Sequence, residues 1–206
     1  MARVTTAEFW DRAAPKYAKQ PISNVGAYEE TLVQVLAHLN PTDRALELGC
    51  GTGSTALRLA PSVKHYVATD ISDTMIEIAK DKAWEASIPG LSFKTTREME
   101  KNGTRWTRVL AFNLLHLLPN LDAALAEIRD KLEPGGLFIS KTPCLANRWY
   151  LKPVIAAMRV FNKAPWVAFL DVQELEEKIA AAGFEIVQTG LYPPSVPSSF
   201  VVARRN

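Results

Sequence analysis

The chain is poor in cysteine, poor in net charge and free of long apolar runs. Only two of its 206 residues are cysteine, Cys50 and Cys144. They lie far apart and show no Cys-x-x-Cys spacing, which argues against a disulfide framework and against structural zinc. A reduced, cytoplasmic setting is expected, and no metal is expected. Lys and Arg total 24 against 22 Asp and Glu, a formal charge of +2. No electrostatic case for a nucleic-acid partner exists at that balance. No apolar run approaches the roughly 18 residues of a membrane span. Glu8 and Asp11 near the start do not suit a signal peptide. There is no internal repeat and no low-complexity segment. What remains is an ordinary globular composition, 48% hydrophobic, and a length that suits one domain, 1–206.

The patterning alternates. Helices are predicted over 6–19 and 24–39, a helical cap spanning 1–40. In the second, Tyr28, Leu32, Val35, Leu36 and Leu39 form an apolar stripe. Strands are predicted at 44–49, 64–70, 91–96, 106–113 and 136–141. Helices fall between them at 53–60, from Ser72 or Asp73 to about 86, and at 121–132. This order implies an α/β fold with a parallel sheet covered on both faces. A further helix runs from Asp171 to Ala182 with Gly183 as its stop. Two last strands, Phe184–Leu191 and Phe200–Arg204, are joined by a short Pro/Ser loop and can pair antiparallel. Residues 143–168 interrupt the alternation. They mix Trp149, Tyr150, Leu151, Met158, Phe161 and Trp166 with Arg148, Lys152, Arg159 and Lys163, and read as a lid inserted after the fifth strand.

In such sheets ligands bind beyond the carboxyl ends of the strands, at the switch point. Those ends are Gly49, Asp70, Thr96 and Asn113. The first strand, Arg44-Ala-Leu-Glu-Leu, runs into Gly49, Gly51 and Gly53. Glycines there permit a tight turn and let a ligand lie on bare backbone. A dinucleotide fingerprint wants Gly-x-Gly-x-x-Gly, but the sixth position from Gly49 is Ser54. A phosphate-binding loop wants a lysine after the glycines, and none follows. Glu47 would repel a pyrophosphate, at a cost of a few kcal/mol in a partly dry site. It would attract a cationic ligand. S-adenosylmethionine carries a sulfonium and an ammonium, has no phosphate, and keeps both ribose hydroxyls for Asp70.

On these residues the chain resembles the class I S-adenosylmethionine-dependent methyltransferases. Leu46-Glu47-Leu48-Gly49-Cys50-Gly51-Thr52-Gly53 resembles the family's first motif. Asp70-Ile71-Ser72 looks like its second. Leu132-Glu133-Pro134-Gly135-Gly136-Leu137-Phe138 resembles the turn before its fifth strand. The resemblance spans roughly 8–204, and it is nearest the small-molecule branch that includes ubiquinone- and menaquinone-type enzymes. It implies a three-layer Rossmann-like sandwich whose seven-stranded sheet is mostly parallel, with an antiparallel last strand.

The resemblance also implies roles. Glu47 serves the methionine end or its loop. Gly49, Cys50 and Gly51 line the cofactor. Asp70 takes the ribose, and Ile71 and Met75 flank the adenine or its ribose. Tyr17 closes over the methionine part. The acid that usually follows strand three is replaced by Thr95-Thr96-Arg97-Glu98; Thr96 aligns best, with Glu98 as the alternative. The Asp often found near the start of strand four is Thr107. Asn113 closes strand four at the crevice, and His116 behind it is the candidate general base. Pro143-Cys144 falls after strand five, so Cys144 is not expected to be a nucleophile. The aromatic and aliphatic lid favours an apolar or aromatic small molecule, and its interleaved cations suit weak contact with a membrane surface. Two other readings stand beside methyl transfer: a cofactor-binding regulator without catalysis, and a nicotinamide-dependent oxidoreductase. The oligomeric state is not legible.

Overall fold

A computed structural model describes residues 4–99, 103–194 and 197–206. Part of the predicted Pro/Ser loop, 195–196, lies outside the described residues. The chain opens with two helices, α1 (Thr6–Tyr17) and α2 (Val25–Leu36). α1 begins with a reciprocal cap: Thr5 Oγ1 accepts Glu8 N–H, and Glu8 accepts Thr5 N–H at 2.8 Å. Asn24 caps α2 by accepting Ala27 N–H at 2.9 Å. There follow β1 (Arg44–Leu48), α3 (Ser54–Leu59), β2 (His65–Asp70), α4 (Asp73–Ala86), β3 (Leu91–Thr95) and β4 (Trp106–Phe112). The remainder is α5 (Leu121–Lys131), β5 (Leu132–Pro143), α6 (Leu151–Val160), α7 (Val172–Ala181), β6 (Phe184–Leu191) and β7 (Ser198–Arg205).

The seven strands form one sheet in the order β3-β2-β1-β4-β5-β7-β6. Pairs β1–β2, β2–β3, β1–β4 and β4–β5 are parallel, and β7 runs antiparallel to both neighbours. The predicted layered sheet with a single reversed strand is therefore the fold observed. Strand alternation divides the core. Ile139, Leu110 and Tyr66 face α2, α3 and α4 on one side. Phe138, Val109 and Leu46 face α5 and α7 on the other. Phe138 has no exposed surface, and burying a side chain of that size contributes about 2–3 kcal/mol. The chain moves outward from β1 through β2 to β3, then returns to β4 on the other side of β1. That reversal opens the crevice between the carboxyl ends of β1 and β4.

Several boundaries differ from the sequence reading, α2 ending at Leu36 rather than 39 and β7 beginning at Ser198 rather than 200 among them. β5 begins at Leu132, not 136, because Leu132 pairs with Trp106 before a register shift. α5 stops one residue early in consequence. The insertion runs from 144 to 171, since the strand continues to Pro143 and α7 starts at Val172. No helix is described between β3 and β4. Beside that link lies a cavity of about 640 Å³ lined by Val67, Lys94, Met99, Trp106 and the last turn of α5. None of its lining residues belongs to the Gly49–Gly53 crevice.

Thr107 lies at the amino end of β4. Its hydroxyl donates to Asp43 at 2.8 Å and accepts Arg44 N–H at 3.0 Å, and Asp43 pairs with the half-buried Arg108 at 3.2 Å. Thr107 therefore belongs to a polar tie at that end of the strand.

Candidate functional site

The glycine loop leaves β1 with three left-handed residues, Gly49 (φ 68°), Gly51 (φ 53°) and Gly53 (φ 77°). They serve different ends. A Cβ on Gly49 would stand 2.8 Å from a Leu114 methyl, and one on Gly53 would stand 2.8 Å from the Phe93 ring. Both positions are needed for close packing. At Gly51 the nearest atom is Tyr17 Cε1 at 3.8 Å, an ordinary contact, so of the three this is the glycine where a Cβ would meet no clash.

Asp70 anchors the loop. Its Oδ2 accepts Gly51 N–H and its Oδ1 accepts Ser72 N–H, both at 2.9 Å. The carboxylate keeps acceptor capacity for a ligand hydroxyl. Burial pushes the Asp70 carboxyl above its ordinary range, opposed by the N–H donors of Ser72, Gly51 and Ile71. Glu47 is buried on β1. Tyr66 O–H donates to it at 2.8 Å, and Thr69 O–H donates to its backbone carbonyl at 2.9 Å. Desolvation raises its carboxyl to about 7; the Tyr66 bond opposes this, and the charge of Asp70 adds to it. Cys50 is buried between them, its thiol pushed up by desolvation and then by both acids.

Around this centre stand the other expected residues. Met75 is buried and Ile71 is exposed at the rim. Thr96 N–H donates to Asp70 C=O at 2.8 Å, which places Thr96 beside the second motif. Glu98 instead turns back and accepts Thr95 N–H at 2.6 Å. The Glu98 carboxylate is thus engaged by the backbone of Thr95, while Thr96 lies beside Asp70. Asn113 adopts φ 54° and its N–H donates to Lys141 C=O at 2.8 Å, which turns the chain sharply after β4. Tyr17 ends α1 half-exposed over the loop. Partial burial and the nearby Asp70 charge raise its phenol.

His116 lies in a short helical turn, Leu115–Leu117. Its carbonyl accepts Ala168 N–H at 2.7 Å, fixing the insertion above it. Its Nδ1 is buried without a hydrogen-bond partner. Desolvation lowers the imidazole to about 4, so it is neutral at pH 7 and a feeble proton acceptor. Cys144 Sγ bonds weakly to Thr142 C=O at 3.6 Å and its thiol is raised by burial, a resting state unlike that of a nucleophile.

Two contributors had no sequence signal. Asp11 of α1 accepts Ser72 O–H at 2.6 Å and Thr74 N–H at 3.1 Å, fastening the N-terminal helix beside Asp70. Lys82 of α4 donates to Thr52 Oγ1 at 3.0 Å and to Thr52 C=O at 3.2 Å, bracing the loop from behind. Ser72 was legible as a helix cap, but nothing in the spacing linked it to Asp11.

A glycine cradle flanked by two acids suits a ligand with a ribose and a positive end. A family profile for a methyltransferase domain matches residues 17–189. The chain belongs to that methyltransferase family. Among relatives of the methyltransferase, the hybrid polyketide–peptide synthetase mpsA of Macrophomina phaseolina is 30% identical over 201 residues, covering 86% of this chain and 5% of that protein. A ubiquinone biosynthesis O-methyltransferase of Azorhizobium caulinodans is 27% identical over 196 residues, covering 87% and 77%. The chain spans about a twentieth of the length of the first two curated relatives it matches, 5% of each. The magnesium protoporphyrin IX methyltransferase of Synechocystis, solved with S-adenosylhomocysteine, superposes with a TM-score of 0.70 at 20% identity, covering 96% and 94%. The cyclase SpnF superposes at 0.75 with 19% identity, covering 97% and 94%. These two likenesses establish the fold of the methyltransferase.

Proposed function

We propose that this domain binds S-adenosylmethionine at the Gly49–Gly53 crevice and transfers its methyl group to a small, largely apolar acceptor held under residues 144–171, in the cytoplasm. One observation carries the reading: Asp70 and the buried Glu47 flank a glycine loop, and Lys82 beside it is already bonded to Thr52. A phosphate would face two acids there, whereas a sulfonium and an ammonium would find them complementary. This disfavours the nicotinamide reading.

The cofactor would supply an electrophilic methyl group; the chain's residues bind, orient and exclude water. Asp70 accepts the ribose hydroxyls while fixing the loop through Gly51. Ile71, Met75 and Thr96 border the adenine. Glu47 supplies negative charge at the methionine end, and Tyr17 covers it. His116 and Asn113 border the acceptor. With its imidazole held near 4, His116 orients the acceptor by hydrogen bonding rather than removing its proton at neutral pH. Exposed Trp149, Tyr150, Val154 and Met158 on the insertion support an apolar acceptor. The names of the relatives, polyketide synthases and a ubiquinone O-methyltransferase, point the same way, whereas the fold alone does not choose a reaction. The test is a screen of cell extract with methyl-labelled cofactor. Label entering a small organic-soluble product supports the reading; label entering only nucleic acid or protein contradicts it.

A further inference from the structure

A second cleft, of about 400 Å³, lies between α1 and the C-terminal turn of α6. Phe9, Ala13 and Met158 give its lining apolar surface, and the exposed Arg12, Lys16 and Lys163 line it with positive charge. Phe9, Ala13 and Lys16 recur at helical spacing on one face of α1. Asn162 at φ 53° closes α6, and Lys163 N–H donates to Met158 C=O at 2.8 Å, folding the chain back at the cleft.

The charge here is unbalanced. Of the acids on α1, Glu8 caps the helix at Thr5 and also feels the charge of Arg12, and Asp11 faces Ser72 and Thr74. Residues 134–170 contain no Asp or Glu at all. None of the three cations forms an ion pair among the described residues. Lys16 and Lys163, with Arg12 beside them, leave the cleft an excess of positive charge that an anion would balance. Lys16 at the cleft is followed directly by Tyr17, whose ring is the nearest neighbour of a Cβ built on Gly51 at the crevice.

We propose that this cleft binds an anionic amphiphile, a molecule with a short hydrocarbon or aryl body ending in a carboxylate or phosphate, and that this is the anionic end of the methyl acceptor. The second half rests on the methyl-transfer reading; the binding site does not. Calorimetric titration of the cofactor-free protein with octyl phosphate, below its micelle concentration, tests it. Saturable binding is expected, at least tenfold tighter than inorganic phosphate alone, with octyltrimethylammonium inert. The triple variant Arg12→Gln/Lys16→Gln/Lys163→Gln is expected to lose at least tenfold in affinity. Lys163→Gln alone, at an exposed helix end, should lose severalfold while melting like the parent, which covers the case of a triple variant that fails to fold. Met158→Gln should weaken octyl phosphate and leave inorganic phosphate unchanged. Sedimentation with phosphatidylglycerol vesicles separates a lipid headgroup from a free ligand. Vesicle binding without octyl phosphate binding overturns the proposal, as does octyl phosphate binding that the charge-neutralising variants leave unchanged. Retained S-adenosylhomocysteine binding with no octyl phosphate binding overturns this site and leaves the methyl-transfer reading intact. The converse result overturns that reading and leaves the cleft.

Discussion

Glu47 makes the fold less stable as pH rises, and its replacement should remove that dependence. Its carboxyl moves from an ordinary 4.5 to about 7 in the folded protein. Between those two values the folded state holds the proton more tightly than the unfolded chain does. Stability to unfolding therefore falls as pH climbs through that window. The full difference is about 3 kcal/mol at pH above 7, which for a domain of this size is roughly 6–12 °C in melting temperature. Glu47→Gln keeps an acceptor for Tyr66 O–H and cannot ionise. Thermal melts of the ligand-free protein from pH 4.5 to 8 should show the parent losing stability against the variant by about that amount. Parallel curves would refute the argument. The same linkage predicts ligand-coupled proton release. A cation beside Glu47 favours its ionised form, so S-adenosylmethionine binding at pH 7 should expel about half a proton from this site. Calorimetry in buffers of different ionisation heat measures it, and no buffer dependence would count against Glu47 lying near the positive end.

Asp70→Asn replaces one acceptor oxygen with a donor that confronts either Gly51 or Ser72 N–H, and S-adenosylhomocysteine binding should weaken by roughly 1–3 kcal/mol in a direct titration. Gly53→Ala forces a Cβ against Phe93 and Ala79 at 2.8 and 2.9 Å on a left-handed backbone, so denaturant titration should show a loss of roughly 2–4 kcal/mol. Gly51→Ala, whose Cβ meets nothing closer than Tyr17 at 3.8 Å, should cost the fold about 1 kcal/mol and act chiefly on ligand binding. An NMR titration of His116 should give a value near 4, not near 6.5, with stability gained as pH rises through that interval; a value near 6.5 would contradict the burial described for it.

The sheet was legible because its strands are apolar runs closed by turn residues and its helices carry regular apolar stripes. The crevice was legible because a parallel sheet gathers strand ends, so Gly49, Asp70, Thr96 and Asn113 converge without any knowledge of contacts. The start of β5 was not, since Leu132 is drawn into the sheet by pairing with Trp106, against the helical pattern that precedes it. Nor were Asp11 and Lys82 legible. Each is an ordinary charged residue on a helix until packing brings Asp11 to Ser72 and Lys82 to Thr52. Glu98 was a candidate by spacing alone, and a local turn through Thr95 diverts its carboxylate. The basic cleft escaped for a similar reason: its cations come from segments nearly 150 residues apart, Arg12 and Lys16 against Lys163.

The central claim is the identity of the bound cofactor, and calorimetry of the purified protein against S-adenosylhomocysteine and NAD tests it most directly. The account predicts saturable binding of S-adenosylhomocysteine at one site per chain, weakened by Asp70→Asn, and no heat with NAD. Binding of NAD without S-adenosylhomocysteine would contradict it.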